Sequence, residues 1–194
     1  MNEWPLLDVS LKLIAMKIIL GITGGIAAYK APDLVRKLIK NKHAVQVVMT
    51  QSAHEFVAPL ALQTVSGQAV RSHLFDPQAE SAMDHIELAR WADLILIAPA
   101  TAHCIAQLAH GLASDLLTTL CLASSSNISL APAMNQQMWH QAITQQNIAT
   151  LTERGVFMIG PAQGDQACGE TGFGRMVEPD EIANIIEAQY TQAC

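Results

Sequence analysis

The chain has 194 residues, of which 51% are hydrophobic and 14% charged, a composition that excludes a largely disordered protein. At roughly 150 residues per domain, the length predicts one folded domain over residues 16–194, with residues 1–15 as a tail or alternative start. The 11 basic and 17 acidic residues give a net charge of −6. Without a basic run, this charge argues against nucleic acid and against an anionic membrane surface as partners.

Two further features bear on location and assembly. The four cysteines have neither a CxxC pair nor metal-ligand spacing, which predicts no metal site, no disulfide framework and a cytoplasmic protein; they are Cys104, Cys121, Cys168 and Cys194. No uninterrupted apolar run approaches the ~20 residues of a membrane helix. So low a charged fraction also predicts that some surface is buried between subunits, as in a homo-oligomer.

Short apolar runs alternate with helical patterns along the chain. Strands are expected at 17–22, 44–49, 94–98, 128–131 and 156–159. A first helix follows the apolar stripe 27–39, in which Pro32 marks either a kink or the true start. Later helices are expected near 53–65, 84–91, 102–110, 115–124, 136–152 and 180–190. This alternation, with continuous apolarity over 94–98, predicts a single-domain doubly wound parallel α/β sheet, Rossmann or flavodoxin-like.

Ligands of such sheets bind at the carboxyl ends of the strands. The turn after the first strand holds Gly24 and Gly25 before Ile26, and glycines there let backbone N–H groups approach a phosphate. The spacing does not match G-x-G-x-x-G, which favours a mononucleotide over a dinucleotide. A tight turn without a ligand is the alternative. The polar segments 50–52 and 99–104 follow two other strands, although helix capping by Thr101 would explain the second.

Three further residues have both a chemical and a structural interpretation. Segment 160–178 contains five glycines and is expected to be a structureless lid, in which the thiol of Cys168 could donate a proton or attack an electrophile. An incidental cysteine in a loop is the alternative. His85 follows Asp84 at a helix start, and Asn135 is a good N-cap, so both could be purely structural. Five other histidines have no metal-ligand spacing and are expected at the surface: His43, His54, His73, His110 and His140.

Four motifs together resemble the flavin-dependent cysteine decarboxylases, specifically the phosphopantothenoylcysteine (PPC) decarboxylase family. They are TGGIAAYK at 23–30, HIELARWAD at 85–93, PAMNQQMW at 132–139 and ACGETGFGRM at 167–176. The resemblance runs from residue 16 to about residue 190. In many bacterial members a phosphopantothenate–cysteine ligase domain follows, so this chain either acts alone or represents part of a longer protein.

The resemblance implies FMN-dependent decarboxylation of 4′-phosphopantothenoylcysteine to 4′-phosphopantetheine in coenzyme A biosynthesis. In the family, the substrate thiol is oxidised to a thioaldehyde, carbon dioxide leaves, and the resulting enethiolate is protonated and reduced. By motif position, His85 is the active-site base, Asn135 holds the substrate carboxylate, and Cys168 is the acid that protonates the enethiolate. The family also forms trimers or multiples of trimers whose interfaces complete the active sites.

The resemblance also implies two sets of binding residues and shows one departure from the family. The residues implied for FMN are Gly24, Gly25, Ile26, Thr50, Ser52, Thr101, Ala102, His103, Cys104 and Ala133. Those implied for the substrate are Asn135, Ala167 and Met176. His103 and Cys104 stand where the family usually has Asn and Thr, and they hydrogen-bond with a different reach and strength.

Three alternatives remain. A flavin prenyltransferase has a similar glycine-rich first turn but lacks the PxMNxxMW and lid-cysteine motifs. A related peptide-cysteine decarboxylase would share the fold and FMN and differ in substrate. A non-catalytic regulatory flavoprotein would be favoured by loss of His85 or Cys168, and both are present.

Overall fold

Five parallel strands form the central sheet of the protein, described by a computed structural model over residues 15–74, 84–167 and 169–191. They are β1 (Lys17–Ile22), β2 (Ala44–Met49), β3 (Leu94–Ala100), β4 (Asn127–Pro132) and β5 (Phe157–Met158). Their order is β2-β1-β3-β4-β5. The order is that of flavodoxin-like sheets, with the reversal of winding between β1 and β3, and it confirms the predicted doubly wound fold.

Helices cover both faces of this sheet. They are α1 (Ala31–Lys40), α2 (Pro59–Ser66), α3 (Asp84–Trp91), α4 (Ala102–Ala109), α5 (Leu116–Ala123), α6 (Gln136–His140), α7 (Ala142–Glu153) and α8 (Pro179–Thr191), with 3₁₀ helices at Ile26–Lys30 and Gln51–Glu55. Pro32 is the second residue of α1, where its missing N–H costs nothing, so the helix begins there and does not kink. Of the described helices, none is long and apolar enough to span a membrane.

Two predicted helices are each divided in two. The 53–65 stretch is a 3₁₀ turn followed by α2, whose start is set by Pro59. The 136–152 stretch is interrupted at Gln141, whose backbone is extended (φ −59°, ψ 133°) between α6 and α7. No glycine or proline marks that interruption, which is why periodicity alone predicts one helix.

The sheet separates two apolar cores. Ile18, Leu20 and Ile22 of β1 face one core, which α1 and α8 complete. Ile19 faces the other, where α5 packs. Every residue of β3 is buried, as expected of a strand covered on both faces. Gly21 is the fifth of the six residues of β1, and a Cβ there would lie 2.6 Å from a methyl carbon of Leu117, so α5 packs directly on the β1 backbone.

The segment 160–178 is not structureless, which corrects the prediction of an irregular lid. It forms an antiparallel pair, β6 (Ala162–Asp165) and β7 (Thr171–Arg175), here called the ribbon, that belongs to no other sheet. Its glycines fit their places, since Gly174 has φ +129° and a Cβ there would overlap the carbonyl oxygen of Met134. The Met134 N–H donates to the Gly174 carbonyl at 2.9 Å and ties the ribbon to the end of β4.

His43 is not a surface residue, contrary to expectation, because it is only 4% exposed. Its Nδ1 accepts the Met16 N–H at 3.1 Å, and its Nε2 lies 2.6 Å from a Glu187 carboxylate oxygen on α8. Nδ1 acts as acceptor, so Nε2 carries the proton toward the carboxylate. The side chain thus links the start of β1 to α8.

Candidate active site

A cavity of about 920 Å³ opens at the carboxyl ends of β1, β3 and β4, beside the winding reversal. The ribbon forms one of its walls. Its lining includes Gly24, Gly25, Ile26, Ser52, Thr101, Ala102, His103, Ala133, Asn135, Ala167 and Met176, all of them predicted site residues. Parallel strand ends meet at one edge of a sheet, which is why segments far apart in sequence converge here.

The end of β1 is joined to the end of β3 by a buried hydroxyl. Thr23 donates its Oγ1 hydrogen to the Pro99 carbonyl at 2.7 Å, and the same oxygen accepts the Thr101 N–H at 3.1 Å. Thr23 is 2% exposed, so this pairing holds the two cavity-lining turns at a fixed separation. Sequence reasoning included Thr23 only as part of the first turn and assigned it no role.

The turn after β1 packs tightly on the turn after β2. A Cβ on Gly24 would lie 2.8 Å from the Ser52 carbonyl carbon and closer still to the Ser52 side chain. The Thr50 N–H donates to the Ile22 carbonyl at 3.0 Å. The Thr50 hydroxyl oxygen lies 3.2 Å from Ser52 Oγ. Thr50 therefore positions Ser52, and Ser52 is the member of this pair that lines the cavity.

The turn after β3 begins α4. The Thr101 side chain accepts the Cys104 N–H at 3.3 Å, which confirms the predicted N-cap. His103 is exposed and lines the cavity. Cys104 is 2% exposed and packs in the second core, where burial raises the pKa of its thiol well above the usual value. At this turn the imidazole, rather than the thiol, faces the ligand space.

The segment after β4 presents an amide and a thioether. Asn135 lines the cavity and caps α6, since its Oδ1 accepts the Gln137 N–H at 2.7 Å, whereas its Nδ2 donates to Glu170 Oε2 at 3.0 Å. Met138 is 48% exposed and lines the cavity. Capping and ligand binding are compatible in Asn135, because they use different atoms of one amide.

Two cations in the cavity wall were not predicted from the sequence. Lys30 is 8% exposed, and its Nζ lies 2.8 Å from Glu178 Oε1. Arg175 contacts the same oxygen. The hydrogen bond from Lys30 holds the pKa of Glu178 below its usual value, with Arg175 adding to the effect. One carboxylate thus serves two cations beside a cavity that must accept anionic groups. Lys30 sits at the end of a stretch that reads as an ordinary helix start.

Two of the predicted catalytic residues, His85 and Cys168, are not among the described residues that line this cavity. His85 lies in the first turn of α3 and does not line the cavity of its own chain. Because a helix that leads into a parallel strand runs antiparallel to it, His85 nevertheless lies toward the carboxyl edge of the sheet. Cys168 lies outside the described residues; in sequence it falls between Ala167 and Gly169.

The cavity fits a flavin mononucleotide. Its volume matches a cofactor-sized ligand, and Gly24 and Gly25 keep Cβ atoms away from the turn where a phosphate would approach the backbone. Ile26 and Met138 offer apolar surface for a planar ring. Ser52 and Thr101 supply hydroxyl groups at the adjoining strand ends.

Comparisons with known proteins agree with this geometry. The Flavoprotein family model matches residues 8–191. The coenzyme A biosynthesis bifunctional protein CoaBC of Haemophilus influenzae is 58% identical over 182 residues, which are 94% of this chain and 46% of that protein. The chain therefore spans about half the length of the curated relatives it matches.

Solved structures give the same assignment. A PPC decarboxylase carrying a cysteine-to-serine substitution, complexed with pantothenoylaminoethenethiol, superposes with a TM-score of 0.80 at 30% identity, covering 91% of this chain and 99% of that one. The FMN binding protein AtHal3 also has a TM-score of 0.80, at 29% identity, with coverage of 93% and 100%. The chain therefore belongs to the Flavoprotein family and, within it, to the flavin-dependent cysteine decarboxylases that its four motifs indicate.

Proposed function

We propose that this chain decarboxylates 4′-phosphopantothenoylcysteine to 4′-phosphopantetheine, with FMN, in coenzyme A biosynthesis. The observation that carries the proposal is the cofactor-sized cavity at the β1–β3 reversal. Its walls include the glycine-rich turn after β1, the side chain of Asn135 and the ribbon. The 58% identity to CoaBC and the match to a PPC decarboxylase support the same substrate. The cytoplasm is the proposed location, in keeping with the free thiols of Cys104 and Cys121.

The cofactor is held by three turns. Gly24, Gly25 and Ile26 would hold its phosphate through backbone N–H groups, while Ser52 and the 101–103 turn would hold the remainder. When bound, FMN would supply two-electron redox chemistry for the substrate thiol. Cys104 contributes through its position under the turn rather than by direct contact.

The chain's own residues handle the carboxylate and the protons. Asn135 donates from Nδ2 to the substrate carboxylate and so orients the bond that breaks. His85 accepts the proton of the substrate thiol at the first step. Cys168 donates a proton to the enethiolate at the last step, since a thiol is a far stronger acid than a hydroxyl. The complex of a cysteine-to-serine PPC decarboxylase with pantothenoylaminoethenethiol, an enethiol, supports this late role.

A homotrimer, or a multiple of trimers, completes the site. His85 does not line the cavity of its own chain, which supports a role for the proposed base at the cavity of a neighbouring copy. Several large apolar side chains that line the cavity are exposed, among them Ile26, Tyr29 and Met138. A contact between copies would bury them. A monomeric mass in solution at full activity would contradict this part of the proposal.

Three substitutions test the assigned roles by carbon dioxide release and product formation. Cys168→Ser is expected to release carbon dioxide but to accumulate an enethiol product with the flavin still reduced. His85→Asn and Asn135→Asp are expected to block carbon dioxide release, the second because it opposes two carboxylates. Wild-type turnover by Cys168→Ser would show that the thiol is not the acid, and a colourless protein that does not bind added FMN would refute the function as a whole.

A related peptide-cysteine decarboxylase remains the second candidate, because it would share the fold and the cofactor and differ in substrate. The rates with 4′-phosphopantothenoylcysteine and with a peptide ending in cysteine distinguish the two. Faster turnover of the peptide would assign the chain to that alternative.

A further inference from the structure

The ribbon carries its own carboxylate into the place proposed for the substrate carboxylate. Asn135 Nδ2 donates to Glu170 Oε2 at 3.0 Å, and Gln136 Nε2 donates to the same oxygen at 3.1 Å. Glu170 lies in the turn between β6 and β7. Two amides on consecutive residues after β4 therefore converge on one carboxylate oxygen, which makes this pair a carboxylate-binding site.

The two amide donors are held in position by other contacts. The Asn135 Oδ1 is engaged by the Gln137 N–H, which fixes the direction of Nδ2. The Gln136 N–H donates to Gln166 Oε1 at 3.0 Å, so the start of α6 is tied to the ribbon beside the same carboxylate. The Gln166 N–H donates to the Glu170 carbonyl at 2.8 Å and closes the turn of the ribbon. These contacts hold both amide donors in position without a bound ligand.

We infer that Glu170 and the substrate carboxylate compete for Asn135, and that this competition orders the reaction. The inference rests on the proposed function, in which Asn135 holds the substrate carboxylate. Two carboxylates on one amide would repel each other, so the Glu170 contact is displaced while substrate is bound. When the carboxylate leaves as carbon dioxide, Glu170 returns to Asn135 and Gln136.

When Glu170 returns to Asn135, the ribbon closes on the site again. This happens before the last step, protonation of the enethiolate. In sequence, Cys168, the proposed acid, precedes Glu170 by two residues. Its approach to the enethiolate thereby follows loss of the carboxylate rather than preceding it. Glu170 acts as a positioning residue, because it senses the presence of the reacting carboxylate and contributes no proton of its own.

Binding of two non-reacting ligands to the FMN-loaded protein tests the competition. One is 4′-phosphopantothenoylserine, which keeps the carboxylate and replaces the thiol with a hydroxyl; the other is the product 4′-phosphopantetheine, which has no carboxylate. Glu170→Gln keeps the shape of the side chain and removes its charge. By calorimetry, it is expected to tighten binding of the serine compound about tenfold and to change product binding less than twofold, as expected for a lost like-charge contact at a solvent-accessible site.

Asp165→Asn is the matched control, since Asp165 lies on the same ribbon and lines the cavity but accepts from Thr171 at 2.7 Å. It is expected to change both affinities less than twofold. Kinetics give a second readout: in Glu170→Gln, KM for substrate falls, and carbon dioxide release outruns formation of phosphopantetheine in a single turnover. Product binding also reports that the variant is folded.

The outcomes separate the inference from the function beneath it. Equal changes for the two ligands in Glu170→Gln, or an equal effect of Asp165→Asn, would overturn the competition while leaving the decarboxylase intact. If the wild-type protein bound neither ligand and released no carbon dioxide, the proposed function would fail, and the inference with it.

Discussion

Gly24 and Gly25 are neighbours in the turn after β1, but they differ in the space around them. The structure has no room for a methyl group at Gly24 and has room for one at Gly25. At Gly24 the added Cβ would lie 2.8 Å from the Ser52 carbonyl carbon, well inside the 3.4 Å at which ordinary contact begins. A backbone atom cannot rotate away, so the turns after β1 and β2 must move apart. At Gly25 the nearest atom is Thr101 Cγ2 at 3.5 Å, and the backbone is extended (φ −157°, ψ 158°), which alanine adopts freely.

The expected magnitudes differ accordingly. Gly24→Ala is expected to lower the free energy of unfolding of the FMN-free protein by about 1–3 kcal/mol, the usual cost of overpacking. For a chain of this size that shift lowers Tm by about 2–12 °C. Gly25→Ala is expected to leave the unfolding free energy unchanged or raise it by up to about 1 kcal/mol, because alanine restricts the unfolded chain.

Thermal unfolding followed by circular dichroism measures both variants without cofactor, and flavin fluorescence then measures FMN affinity. Gly24→Ala is expected to weaken FMN binding about tenfold, the effect of losing one well-placed hydrogen bond from the displaced Ser52 turn. Equal Tm values for the two variants would refute the assignment of Gly24 as the point of contact between the turns.

Three other predictions concern groups that are buried or paired. His43→Leu removes the hydrogen bonds to Met16 and Glu187 and is expected to cost about 1–3 kcal/mol in urea unfolding, whereas the exposed control His110→Leu changes stability by less than about 0.5 kcal/mol. Cys104 and Cys121 are expected to resist alkylation in the native protein at pH 8, because burial raises both thiol pKa values, that of Cys121 to about 12; peptide mass mapping that finds either one modified before unfolding would contradict this. The pKa of Glu178 is lowered below its usual value of 4.5, first by Lys30, so its ionised form stabilises the fold above pH 4.5 and this stabilisation is lost as the pH falls through the lowered pKa. The stability gap to Glu178→Gln, under about 1 kcal/mol for so exposed a carboxylate, is expected at pH 7 and is expected to disappear once Glu178 is protonated.

The sheet could be predicted closely because its strands are both apolar and short. The bounds of β1 and β2 are those expected, and β3 and β4 extend beyond their predicted ends into Ala100 and Pro132. Local sequence determines a strand that is buried on both faces, since every position must be apolar. The candidate site followed from the sheet, because strand ends in a parallel sheet converge at one edge whatever the side chains.

The parts that sequence did not predict depend on contacts between distant segments. The ribbon lacks β-branched residues apart from Thr171, and its strands pair only with each other, so its glycines indicate a loop. The burial of His43 depends on Glu187, 144 positions away. The joint contact of Lys30 and Arg175 with Glu178 likewise links the first turn to the start of α8. No local pattern encodes such pairs.

The ribbon lies outside the main sheet, and this separation has a consequence for how the family diversifies. The turns assigned to the cofactor belong to the sheet and its buried cores, whereas residues 162–175 hydrogen-bond mainly to each other and to the end of β4. Substitutions in the ribbon therefore alter the part of the cavity proposed to meet the substrate without passing strain to the turns after β1, β2 and β3. A lineage can exchange one substrate for another by remodelling the ribbon while the turns assigned to the cofactor are inherited intact.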